Sequence, residues 1–159
     1  GDDVFTLGGG VYARGRALPN MYFMFQNAPH NLSFALVARW EDVGGGLAGS
    51  AGVPRLAGSG MLAPGTSGAL TLSGARASSS GVLVLGLGRI DRPLFGGLLV
   101  PLPQQRVALV TNAAGVASWP FTLPPGVPSG TNLYAQAWLR DPLAAQGWSA
   151  SSAQWGTVP

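Results

Sequence analysis

Apolar and polar residues alternate with a period of two along most of the chain, and the helical period is almost absent. The clearest run sets Ala117, Trp119, Phe121 and Leu123 against Ser118, Pro120 and Thr122. Leu133, Ala135, Ala137 and Leu139 alternate with Tyr134, Gln136, Trp138 and Arg140, a strand with substantial side chains on both faces. Leu70 and Leu72 alternate with Thr71 and Ser73, and strands are also read at Arg106 to Thr111 and Ala153 to Val158. Val82 to Leu87 is apolar on both sides, as in a central strand covered on both faces or lying in an interface. Pro120 has no N–H for a ladder, so its strand is expected at an edge or a bulge. Turn signals at Pro64-Gly65, Gly96-Gly97, Asn112 to Gly115, Pro124 to Gly130 and Asp141-Pro142 separate the runs. Short strands so punctuated predict an all-β protein, an antiparallel β-sandwich of jelly-roll or immunoglobulin-like type. Helix is expected only as a turn near Leu143 to Gln146.

The first 40 residues read differently. Phe5 and Leu7, then Met21, Phe23 and Phe25, then Phe34, Leu36, Ala38 and Trp40 form three apolar-alternating stretches. Gly44-Gly45-Gly46 and Gly49 to Gly52 follow and mark a flexible or tightly turning joint. The expected organisation is a strand-forming N-terminal extension over residues 1–48 and a β-sandwich domain over residues 53–159.

Composition narrows the class. Only 9% of the 159 residues are charged and 47% are hydrophobic, the reverse of a disordered chain. Glycine does not recur at every third position, which excludes collagen. No apolar run approaches the roughly 20 residues of a transmembrane helix. All nine basic residues are arginines scattered along the chain, so no nucleic-acid partner is expected despite the net charge of +3. There is no cysteine, and the redox compartment cannot be read from disulfides. The start Gly1-Asp2-Asp3-Val4 reads as a mature end left by signal cleavage or as a trimmed end, and the expectation is a secreted, cell-surface protein.

Several strand and turn motifs have a family likeness. They are Gly52-Val53-Pro54-Arg55-Leu56, Leu62-Ala63-Pro64-Gly65, Leu70 to Ala75, Pro93 to Gly97, Leu99-Val100-Pro101 and Thr111 to Gly115. Leu133-Tyr134-Ala135-Gln136-Ala137-Trp138, Asp141-Pro142 and Ser149-Ala150-Ser151 complete the set. Together they make residues 53–159 resemble a β-rich domain at the ends of many secreted proteins of planctomycete and myxobacterial type. The resemblance implies a surface or sorting accessory of unknown activity, and it carries no catalytic residues. Many such domains contain cysteines, which this chain lacks, and residues 1–48 fall outside the likeness.

Candidate chemistry is sparse. The single histidine, His30, sits in the turn-like Asn27-Ala28-Pro29-His30-Asn31, without the partners that a Ser-His-acid site needs. Gly65-Thr66-Ser67-Gly68-Ala69 misses the nucleophile-elbow pattern at its last position. The acids Asp2, Asp3, Glu41, Asp42, Asp91 and Asp141 each read as terminus or turn residues, and no catalytic pair is supported. No cluster has the spacing of a zinc or calcium site. Gly86-Leu87-Gly88-Arg89-Ile90-Asp91 is no dinucleotide fingerprint. The reading is a non-enzymatic protein without metal or cofactor.

Two functions are expected in turn. The first is a structural subunit that assembles with copies of itself outside the cell by strand exchange. Its inserting side is Val4, Phe5, Leu7 and Val11, and its receiving edge lies near Trp119, Phe121 and Tyr134. The second is a polysaccharide-binding or accessory module of a larger secreted protein, with Trp148 and Trp138 as stacking platforms.

Overall fold

The computed structural model describes the backbone of Val4–Leu7 and Gly10–Ala13 and all of residues 39–159. The chain divides into two units, Gly1–Val37 and Ala38–Pro159. In the first, β1 (Val4–Leu7) and β2 (Gly10–Ala13) pair antiparallel, with Phe5 opposite Tyr12 and Leu7 opposite Gly10.

The second unit is all-β, with no helix among the described residues. Its strands are β3 (Glu41–Asp42), β4 (Arg55–Gly60), β5 (Ser67–Ser73), β6 (Ser80–Gly86), β7 (Arg89–Leu94) and β8 (Gly97–Pro101). They continue as β9 (Gln105–Val110), β10 (Ala117–Thr122), β11 (Asn132–Arg140), β12 (Trp148–Ala150) and β13 (Gln154–Thr157). The large sheet runs β3-β13-β11-β6-β9, with β12 also pairing β11; a second sheet runs β10-β5-β4, and β7 and β8 form a hairpin. All pairings are antiparallel. Residues 141–147 form consecutive turns, in which Asp141 O accepts from Ala144 N–H and Ala144 O from Gly147 N–H.

The large sheet is the middle layer, because its strands are apolar on both faces. Leu83 of β6 and Ala135, Ala137 and Leu139 of β11 pack against Leu56, Leu70 and Leu72 of the three-stranded sheet. Val84 of β6 and Trp138 of β11 face the other way, against Leu99 of β8 and Ala150 of β12. The strand expected at Val82 to Leu87 is therefore a central one covered on both faces, and it stops at Gly86, leaving Leu87 exposed. Each fully buried leucine contributes on the order of 1.5–3 kcal/mol relative to exposure.

The second face of β11 carries a buried amide beside Trp138. The Gln136 side chain is wholly buried. Its Nε2 donates to Gly45 O at 3.0 Å, Leu98 O at 2.9 Å and Ser151 O at 3.1 Å. Its Oε1 accepts from Val100 N–H at 3.0 Å and Trp138 Nε1–H at 3.2 Å. One amide thus satisfies backbone groups of the β7–β8 hairpin, of the glycine-rich segment and of the β12–β13 connection. A buried amide is tolerable only when bonded in this way.

These bonds correct the expected boundary. The glycines from residue 44 are not a flexible joint, since Val43 N–H donates to Ala153 O, Ala153 N–H donates to Gly44 O, and Leu47 and Ala150 exchange a pair of backbone hydrogen bonds. Gly45 holds φ +82°, and a Cβ there would stand 2.6 Å from Val100 Cγ2, so glycine serves close packing. Residues 39–48 belong to the sandwich, and the division falls at 37/38.

Asp141 is a second buried anchor, 1% exposed. It accepts from Ser50 N–H at 2.7 Å, from the Ser50 hydroxyl at 2.9 and 3.0 Å, and from Leu143 N–H at 3.2 Å. Gly49 passes so close that a Cβ would overlap Asp141 Oδ2. Burial is the largest influence on this carboxyl and pushes its pKa up. The Ser50 bonds, the Leu143 bond and the charge of Arg76 together outweigh it and hold the pKa below the ordinary value.

Two outcomes follow. Gln136→Leu orphans five polar groups and is expected to cost about 3–4 kcal/mol in urea denaturation, whereas a loss under about 0.5 kcal/mol would show that the amide is dispensable. Asp141→Asn is expected to cost about 2 kcal/mol near neutrality. Because the folded carboxyl titrates below the unfolded one, its stabilisation is present above about pH 4 and lost as pH falls through the folded value. The stability gap between wild type and variant should therefore narrow as pH falls below about 4. A gap constant with pH would dissociate it from the charge.

Candidate functional site

The two sheets of the sandwich separate at one end. β6 and β10 finish there and β9 and β11 begin, leaving a cleft of about 610 Å³. Its walls are mostly apolar: Trp40, Leu85, Val107, Trp119, Phe121 and Leu133, with Gln104, Gln105 and Tyr134 at polar positions. The Gln104 Oε1 accepts from Leu87 N–H at 2.6 Å and fastens the β6–β7 connection to the wall.

Two aromatic seats shape the cleft. The Trp40 indole lies on Gly58 of β4, where any Cβ would overlap the ring. Phe121 meets Trp40 edge to face, centroids 6.0 Å apart at 78°. It rests beside Gly68 of β5, where a Cβ would come within 2.6 Å of Cζ. The Trp40 Nε1–H is buried without a hydrogen-bond partner among the described residues, which costs about 1–3 kcal/mol while it stays so.

Two strand edges border this space. Among the described residues, β10 is paired only with β5 and β9 only with β6. Trp119 and Phe121, two residues of the expected receiving edge, are half-buried on the cleft side of β10. Pro120 is exposed between them, as a residue without an N–H can be on an edge strand. Tyr134 lines the cleft too, but it is not at an edge. It lies in β11, between Gly86 of β6 and Trp155 of β13, and its strand has a neighbour on either side. Of the expected inserting residues, Val4, Phe5 and Leu7 fall in β1 and Val11 in β2, and their side chains lie outside the described residues. His30 and the apolar stretches of residues 21–25 and 34–38 also lie outside them.

The expected glycan platforms are not assembled. Trp138 is 2% exposed, packed in the second core with its Nε1 bonded to Gln136, so no ligand can stack on it. Trp148 is half-buried, its ring stacked on Phe95 with centroids 4.8 Å apart at 6°. The Arg140 guanidinium carbon stands 4.3 Å from the same ring. Phe95 itself was not a candidate from sequence. The turn expected at Gly96-Gly97 is in fact a two-residue loop of Phe95 and Gly96, with Leu94 paired to Gly97. Both loop residues have positive φ, +45° and +81°. Such loops favour Asn or Gly at the first position, and a phenylalanine there stores about 1–3 kcal/mol of strain. The misfit was the available signal.

Among the described residues no group of three or more His, Cys, Asp or Glu side chains could hold a metal ion. No helix among them is long and apolar enough to cross a membrane. Compared with family models, curated proteins and solved structures, the chain matches none.

Gly58→Ala should unseat Trp40 and destabilise the sandwich by about 1–3 kcal/mol in urea denaturation. The change should be coupled to Phe121→Ala in a double-mutant cycle, and strict additivity would mean that the two rings do not share one seat.

Proposed function

We propose that this protein is a non-enzymatic, extracellular structural subunit that polymerises by adding an N-terminal strand of one copy to the sandwich of the next. The observation that carries the proposal is the apolar cleft bordered by the unpaired edges of β9 and β10, with Trp119 and Phe121 in its wall. An incoming strand gains main-chain hydrogen bonds along such an edge and buries alternate side chains in the space behind it. Burying one phenylalanine and one leucine contributes on the order of 3–6 kcal/mol before ordering costs. β1 and β2 supply segments with strand geometry and apolar composition, Val-Phe-Thr-Leu and Gly-Val-Tyr-Ala. A head-to-tail contact of this kind builds open filaments unless its rotation closes a ring. The low charge of the chain is in keeping with a surface covered by neighbours. Pro120 removes one donor from the β10 edge, which restricts the registers that a partner strand can adopt.

The test is negative-stain microscopy and sedimentation of three proteins: the full chain, a chain lacking residues 1–16, and Phe121→Ala. Regular fibres from the full chain and monodisperse particles from both variants are expected. Fibres from the truncated chain would place the contact elsewhere than in the N-terminal strands. Monomers from the full chain at high concentration would overturn self-assembly.

A further inference from the structure

The two open edges beside the cleft are not equivalent, and the direction of their backbone groups separates them. Alternate residues of an antiparallel strand turn their N–H and C=O to opposite sides. Thr111 N–H donates to Ser79 O in the register that pairs β9 with β6. Gln105, Val107 and Leu109 therefore face β6, and Arg106, Ala108 and Val110 turn their backbone groups outward. Leu123 N–H donates to Thr66 O in the register that pairs β10 with β5. By the same alternation, Ser118, Pro120 and Thr122 are the outward residues of β10. Among the described residues, no strand meets either outward row.

The β9 edge is unbroken, with a donor and an acceptor at each outward position. The β10 edge has Pro120 at its centre, which accepts but cannot donate. β1 is four residues long, and a strand of that length presents two residues to each side. Any two consecutive outward positions of β10 include Pro120, so a β1 added there lacks a bond in every register. No register on β9 carries that loss. A missing bond that leaves a covered carbonyl unpaired weakens association about tenfold.

The side chains of β9 favour the same edge. Leu109 belongs to the first core, and Val107 packs against that core and lines the cleft. A strand added beside β9 continues this wall, and alternation brings Phe5 and Leu7 of an added β1 to one face of it.

We propose that β9 is the receiving edge, that β1 of a second copy adds to it, and that Pro120 closes β10 to the same strand. In the self-assembly proposed above, on which this assignment rests, each copy then receives one strand at the cleft rather than two. The filament does not branch there.

Hydrogen exchange and negative-stain microscopy on the full chain test the edge. In the polymer, at least two of the Arg106, Ala108 and Val110 amides should exchange about tenfold more slowly than in the dilute monomer. The Ser118 and Thr122 amides should exchange at unchanged rates. Ala108→Pro removes one outward donor and no bond to β6. It should melt within about 3 °C of wild type yet raise the concentration needed for fibres about tenfold. Ala108→Ser keeps the donor and should assemble as the wild type does. Ser118→Pro, the matching change on β10, should leave assembly unchanged. The exchange measurement needs no variant, so it decides the edge even where a proline variant fails to fold. Fibres in which the β9 amides stay unprotected, or which Ser118→Pro blocks and Ala108→Pro does not, would overturn the choice of edge and leave self-assembly standing. A wild type that stays monomeric at high concentration would overturn both.

Discussion

The buried amide of Gln136 is the interaction on which the arrangement of layers depends. A nine-residue strand with side chains on both faces needs cover on both sides. The three-stranded sheet covers one side with side chains alone. The other side is covered by short pieces, the β7–β8 hairpin, the glycine-rich segment and β12, whose backbone groups cannot all pair within a sheet. Gln136 satisfies several of them from a single side chain, and the Trp138 indole N–H as well. An apolar residue of the same size would pack and leave those groups desolvated.

With that layer held, the rest of the second face follows. The hairpin is fixed over Trp138, so its tip delivers Phe95 to Trp148. The glycine-rich segment is drawn across β12 and the β12–β13 connection, and Ser50 reaches the buried Asp141 carboxylate. The cleft lies between the two sheets, at the end of the first core, where no comparable polar tie among the described residues closes the gap. Its walls are aromatic residues on glycine seats rather than a hydrogen-bonded network.

The proposed function rests on a surface where a favourable local arrangement is incomplete. The β9 and β10 edges carry ladder groups without a strand partner among the described residues. Such an edge calls for a strand.

Strand identity was legible because a period of two and a glycine or proline between runs are local properties of the chain. The runs at residues 67–73, 80–86, 105–110, 117–122, 132–140 and 154–157 are strands where alternation or continuous apolarity placed them. Pro120 marked its strand as an edge or a bulge through the missing donor, and among the described residues it is an edge. What faces what was not legible. Tyr134 and Trp138 look alike in an alternating strand, yet Tyr134 is half-buried and Trp138 is sealed in a core against Leu99 and Ala150. Asp141 reads as a turn residue, and it is one, but its burial depends on Ser50, 91 positions away. Gly44 to Gly46 read as a flexible or tightly turning joint because glycine permits freedom; at Gly45 and Gly46, packing against Val100, Val53 and Ser152 uses the absent side chain instead. The sequence by itself determined an all-β chain and the positions of those six strands, since these depend on near neighbours. Only the tertiary structure decided the layers, the buried polar anchors and the exposed strained ring, since each is set by atoms distant along the chain.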